Sequence, residues 1–145
     1  MHACFRYLAG ILILLSLAAP GAHAADPVDP AVAADFRRII ETQLNAFRRN
    51  DGETAFAQAT PEIRARIGTA DAFMAMVRTD YAPVWRPRDY VFEAPLTFPE
   101  RTAQPVRFIG PDGRGVLGVY YMEQQPDGGW RIAGVYLVPL PERAI

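Results

Sequence analysis

The sequence predicts an α+β fold, helices first and an antiparallel meander after, on three observations. Between Val32 and Tyr81 apolar residues recur at three- and four-residue steps, interrupted by residues that cap and stop helices. Beyond Arg88 the pattern changes to alternation. Two Pro-Asp-Gly turns, at 111–113 and 126–128, then divide the C-terminal third into three strands.

Residues 1–24 read as a secretory signal. Arg6 supplies the positive charge, Leu8 to Ala19 the apolar run, and Ala22-His23-Ala24 an A-x-A cleavage site. The run is shorter than the roughly 20 residues a membrane helix needs, so no stable membrane insertion is expected after cleavage. The expected location is exported, either periplasmic or secreted. Residues 25–31 form a proline-bracketed lead-in, and 32–145 a single domain.

Val32, Phe36, Ile39, Ile40, Leu44 and Phe47 form the apolar stripe of a first helix, with Arg48 and Arg49 at the end where the helix dipole favours cations. Asn50-Asp51-Gly52 ends it, and Asp51 suits the cap of a second helix carrying Phe56. Thr60-Pro61 opens a third, with Ile63 and Ile67, that stops at Gly68. Thr69 caps a fourth, which buries Phe73, Met76, Val77 and Tyr81. Pro83 and Pro87 predict an extended crossing segment. One half-exposed strand should run from Arg88 to Phe98, with Pro95 marking an edge or a bulge.

Three-residue loops set the register of the two hairpins. In the first, Phe108 faces Val116 and Val106 faces Gly118. In the second, Glu123 faces Arg131, and an unbroken ladder carries on to set Gly118 against Tyr136, Val119 against Val135 and Tyr120 against Gly134. The repeated tripeptide Gly-Val-Tyr, at 118–120 and 134–136, would then lie opposite itself, each tyrosine ring covering a cross-strand glycine. This register puts Val106, Phe108, Met122, Trp130, Ile132 and Tyr136 on one face. It puts Leu117, Val119, Tyr121, Val135 and Leu137 on the other. Both faces are apolar, so one should pack on the helices and the other needs a cover.

The inventory of side chains excludes several chemistries. Cys4, Ser16, His2 and His23 are the only residues of their types, all within the signal, and the chain has no lysine. After cleavage no serine, cysteine or lysine nucleophile and no imidazole remains, which removes Ser-His-Asp, Cys-His, Schiff-base and His-zinc mechanisms. No Asp-x-Asp-x-Asp-Gly spacing suggests a calcium loop, and no metal or cofactor is expected. Removing residues 1–24 leaves 14 arginines against 16 carboxylates, a net charge of −2, which does not recommend nucleic acid as a partner.

The helical stretch "QLNAFRRNDGETAFAQATPEIRARIGTADAFMAMVRTDYAPVWRP" together with the closing "PDGGWRIAGVYL" resembles an exported bacterial family, the domain of unknown function 4864. The order of elements resembles the nuclear-transport-factor-2-like superfamily. That resemblance implies helices packed on a curved antiparallel sheet, a cone-shaped fold with a pocket between the layers, and it does not by itself imply a function. Trp85, Tyr90, Tyr120, Trp130 and Tyr136 are the candidate pocket residues. Some members of the superfamily are acid–base enzymes, and for that alternative Asp80, Tyr81 and Glu93 are the candidates, serving a cofactor-free isomerase, lyase or hydrolase.

The leading expectation is a non-catalytic exported domain that binds a small apolar or aromatic ligand or pairs through its second sheet face. Leu117, Val119, Tyr121, Val135 and Leu137 are the interface candidates. A homodimer is the favoured cover for that face, and the N-terminal helix or the C-terminal segment 138–145 is the alternative.

Overall fold

A computed structural model describes residues 25–142; the stretch 1–24, read above as a secretory signal, lies outside the described residues. Helix α1 (Pro30–Arg48) begins earlier than the apolar stripe suggests, because the Asp29 carboxylate accepts the Ala31 N–H at 2.8 Å and Pro30 takes the first turn. Its stripe of Phe36, Ile39, Ile40, Leu44 and Phe47 is buried in full. At its C-terminus the Arg86 guanidinium donates to Asn50 Oδ1 at 3.2 Å and to the Phe47 carbonyl, which also accepts the Asn50 N–H at 3.1 Å.

Helices α2 (Gly52–Ala57), α3 (Pro61–Ile67) and α4 (Ala70–Asp80) start at the expected caps. Asp51 accepts from the Thr54 N–H, Thr60 from Ile63 and Thr69 from Ala72, at 3.1 to 3.4 Å. Burying Phe73, Met74 and Val77 holds α4 on the core.

The segment after α4 is not extended. Ala82–Trp85 forms a short helix, α5, because Pro83 falls in a first turn, where its missing N–H has no helical partner to lose. Its Val84 and Trp85 are buried, with Trp85 centred 5.6 Å from Phe47.

All strands lie in one curved antiparallel sheet, confirming the α+β layout. Strand β1 (Asp26–Pro27), inside the lead-in, pairs with β3 (Leu96–Phe98). The expected strand 88–98 is two pieces, β2 (Asp89–Phe92) and β3, both on β4 (Arg101–Ile109). Buried Gln104 holds the break: its Nε2 donates to the Glu93 carbonyl at 2.7 Å and the Pro105 carbonyl at 2.8 Å. Strand β5 (Gly115–Gln124) follows, and β6 (Trp130–Pro139) forms the far edge.

The first hairpin keeps the expected register, Phe108 against Val116 and Val106 against Gly118. Both turns close on glycines of positive φ, Gly113 at 80° and Gly128 at 85°. The second hairpin keeps its register only as far as Met122–Ile132. Between Met122 and Tyr121 the ladder slips by one residue at Ala133, so that Tyr121 faces Gly134, Tyr120 faces Val135, Val119 faces Tyr136 and Gly118 faces Leu137. The two Gly-Val-Tyr copies are therefore out of step, and the tyrosine-over-glycine explanation of their echo fails. Gly118 instead makes room for the Phe108 ring, whose Cε2 lies 2.7 Å from where a Cβ would stand.

The bulge has a physical cause on its outer side. The Ile132 N–H donates to the Gln58 carbonyl at 2.8 Å and its carbonyl accepts from Thr60 at 3.0 Å. That anchors Ile132, and the small residues Ala133 and Gly134 absorb the extra step. Because strand side chains alternate, one slipped residue exchanges the faces of everything beyond it. Val135 and Leu137 turn to the helices and pack against the core, while Tyr136 and Val138 turn outward, 62% and 48% exposed.

Candidate functional site

Helix α3 has Ile63 and Ile67 one turn apart, yet no residue of it is buried. Ile63 and Ile67 are half-buried, Ile67 packing against the core, so the apolar stripe of α3 is only partly covered and forms one wall of a groove. Opposite that wall runs β6. Between them, floored by the α1 and α4 side of the core, lies a groove of about 880 Å³. Ile63, Ile67, Met76, Val77 and Tyr81 line it from the helices, and Ile132 to Leu137 line it from the strand. Gln43 reaches its floor, buried, with Nε2 donating to the Ala55 carbonyl at 3.1 Å. Charged groups border it: Arg66, Asp80, Glu100, Arg101 and Glu123. Arg66 is paired with Glu62 at 2.9 Å, and Arg101 lies over the Tyr121 ring at 4.6 Å.

The residues singled out from the sequence fall into separate places. Asp80 and Tyr81 line the groove, and Tyr136 borders it from the β6 edge with its ring turned to the outer face. Trp85 and Tyr120 are buried core residues. Tyr90 and Trp130 are half-buried, packing respectively against Phe108 at 6.1 Å and edge-on to Phe36 at 4.9 Å. Glu93 accepts from Arg107 Nε at 3.0 Å, and Arg107 pairs across the sheet with Leu117 on the outer face. The three candidate acid–base residues therefore do not converge.

Tyr120 is closed to proton chemistry with a ligand. Its hydroxyl is buried with no hydrogen-bond partner among the described residues. Burial, and secondarily the proximity of Tyr90, pushes its pKa well above the ordinary phenol value, so the ring acts as a neutral core aromatic. Among the described residues no group of three or more His, Cys, Asp or Glu side chains could hold a metal ion. None of their helices is long and apolar enough to cross a membrane.

Sequence reasoning missed most of the groove wall. Ile63 and Ile67 were visible as a helical pair, but that they stay only half-buried along a groove depends on where α3 lands relative to β6. The outer face carries a second, smaller depression of about 470 Å³, formed by Phe98, Pro99, Ala103, Val119 and Tyr121. Of the interface candidates, Leu117, Val119 and Tyr121 remain on this face. The bulge replaces Val135 and Leu137 there with Tyr136 and Val138, and Tyr136 meets Tyr121 edge-on at 5.5 Å.

A family model described as Domain of unknown function (DUF4864) matches residues 30–145. The chain belongs to this family. The matched region of the DUF4864 chain takes in all of α1 to α5 and β2 to β6, and with them both walls of the groove. No curated protein and no solved structure matches the chain.

Proposed function

We propose that this protein is a non-catalytic binding domain that takes a small apolar or aromatic ligand in the groove between α3–α4 and β6. One observation carries this reading: the groove is walled by apolar side chains from two different elements and has room for a ligand of modest size. The helix-on-curved-sheet layering supports a cone of the nuclear-transport-factor-2-like kind. The signal-like residues 1–24 support export to a periplasmic or extracellular location in a bacterium, and intact mass of the exported protein should then start at Ala25. The acid–base alternative is less well supported, since Asp80 and Tyr81 stand at the groove without Glu93 or the Tyr120 hydroxyl.

The neutral apolar dye Nile red tests the groove. Its fluorescence should rise on binding the wild-type protein and fall back in Ile67→Arg, with the circular dichroism melt preserved. No enhancement in wild type, or full enhancement in Ile67→Arg, would defeat the reading.

A second reading concerns the outer face and rests on a separate observation. The large exposed apolar side chains, Val91, Phe98, Ile109, Tyr136 and Val138, are paired by register onto rows of that same face. Soluble monomers seldom expose this many large apolar side chains on one face, and a two-fold axis would let each copy cover the other's. We propose a homodimer through this face.

A further inference from the structure

The groove's strand wall is more than an apolar surface. Ladder bonds alternate along an antiparallel strand, so the Leu140 N–H bond to the Gly115 carbonyl fixes which residues of β6 face β5. The backbone groups of Val138 and Tyr136 point toward β5 with those of Leu140, and Val135, Leu137 and Pro139 present theirs to the other edge. No backbone or side-chain group among the described residues bonds to the N–H or carbonyl of Val135 or Leu137. These four groups repeat every second residue, about 6.8 Å apart, which is the spacing of another strand's main chain. Just before them the chain already uses this edge: Ala59 forms a parallel bridge with Ile132, through the bonds to Gln58 and Thr60.

Charge adds a second requirement. Asp80, Glu100 and Glu123 border the groove and enter no ion pair among the described residues. Arg66 is balanced by Glu62, which leaves Arg101 as the one uncompensated cation among the lining residues. The rim is thus net acidic.

Resting on the groove reading above, we propose that the ligand is an extended segment of another polypeptide, apolar at alternate positions and flanked by basic residues, which adds a strand to the β6 edge. Its main chain bonds to Val135 and Leu137, continuing the pairing begun at Ile132. Alternate side chains enter the groove against Ile63, Ile67 and Met76, and its basic flanks meet the acidic rim. Main-chain bonds supply affinity and the groove selects side chains.

The test uses a fluorescein-labelled heptapeptide of alternating valine and threonine between terminal lysines, followed by fluorescence anisotropy on the full protein. Two further peptides carry the same side chains, with backbone N-methyl groups on one or the other alternating set of residues. Strand addition requires one methylated peptide to bind like the parent and the other at least about tenfold more weakly, since only one set of N–H groups faces β6. Ile67→Arg should weaken the parent peptide by a similar factor. If both methylated peptides bind like the parent, or both lose binding equally, strand addition is overturned. If Nile red binds the groove and the parent peptide does not, the polypeptide ligand is overturned and the groove reading stands. If neither binds, both fall.

Discussion

Replacing Gly118 and Gly134 one at a time by alanine separates the slipped ladder from the regular one. A Cβ on Gly118 would stand 2.7 Å from Phe108 Cε2, 3.3 Å from its Cδ2 and 3.5 Å from Tyr120 Cε2. Carbon pairs prefer about 3.5 to 4.0 Å, so the added methyl overlaps the Phe108 ring by about 1 Å. That ring is fully buried between Tyr90 and Tyr120 and has no open side to move into. Overpacking of this kind costs about 1 to 3 kcal/mol. A Cβ on Gly134 meets nothing nearer than Tyr121 Cδ2 at 3.9 Å. There alanine should be neutral or should stabilise by about 0.5 to 1 kcal/mol, because it removes the strand glycine's excess freedom in the unfolded chain. The difference between the two variants is then about 1 to 4 kcal/mol. Urea unfolding followed by tryptophan fluorescence reads it as a lower midpoint for Gly118→Ala at an unchanged slope. Gly118→Ala clashes with Phe108 in either register, because the first hairpin fixes that contact, whereas in the regular register Gly134 would lie under the Tyr120 ring and its alanine would cost stability as well. Equal losses, or a greater loss for Gly134→Ala, would refute the bulge and the face assignment built on it.

Three further outcomes follow from single residues. Tyr120→Phe removes a buried hydroxyl that has no partner among the described residues, so it should leave stability unchanged or raise it by about 1 kcal/mol in the same urea assay; a clear loss would mean the hydroxyl is bonded. Asp51 is held below the ordinary carboxylate pKa by the Thr54 side-chain and then backbone hydrogen bonds, so its contribution is complete at neutral pH and lost as pH falls through the lowered value. Asp51→Ala should therefore melt below wild type at pH 7, with the gap closing in strong acid, and a gap that ignores pH would count against the cap. Val119→Glu puts a carboxylate amid the outer apolar rows, so light scattering should show two chains for wild type and one for the variant; a one-chain wild-type mass removes the dimer.

The parts of this fold that were legible in the sequence are those set by neighbours along the chain. Asp51, Thr60 and Thr69 announced their helices because a cap needs only an acceptor beside free N–H groups. The Pro-Asp-Gly turns fixed the first hairpin for the same reason. Illegible were features decided by distant partners. Pro83 is equally compatible with an extended chain and a first helical turn, and burial of Val84 and Trp85 decides for the helix. The bulge at Ala133 depends on Gln58 and Thr60 gripping Ile132, more than 70 residues away in sequence. Gly134 in mid-strand was the local hint, since a lone strand glycine often marks a bulge. The groove was hidden for a related reason: periodicity identifies the stripe of Ile63 and Ile67, but only the placement of α3 across from β6 leaves it half-buried along the groove.

The claim that the groove is the ligand site is tested most directly by following backbone amide shifts in two-dimensional NMR while a soluble apolar aromatic, 1-naphthol, is titrated in. Binding in the groove shifts amides of residues 63–67, 76–81 and 132–137 together, with one saturation curve. Shifts confined to residues 98, 99, 103 and 119 on the outer face, or no saturable shifts at all, would contradict it.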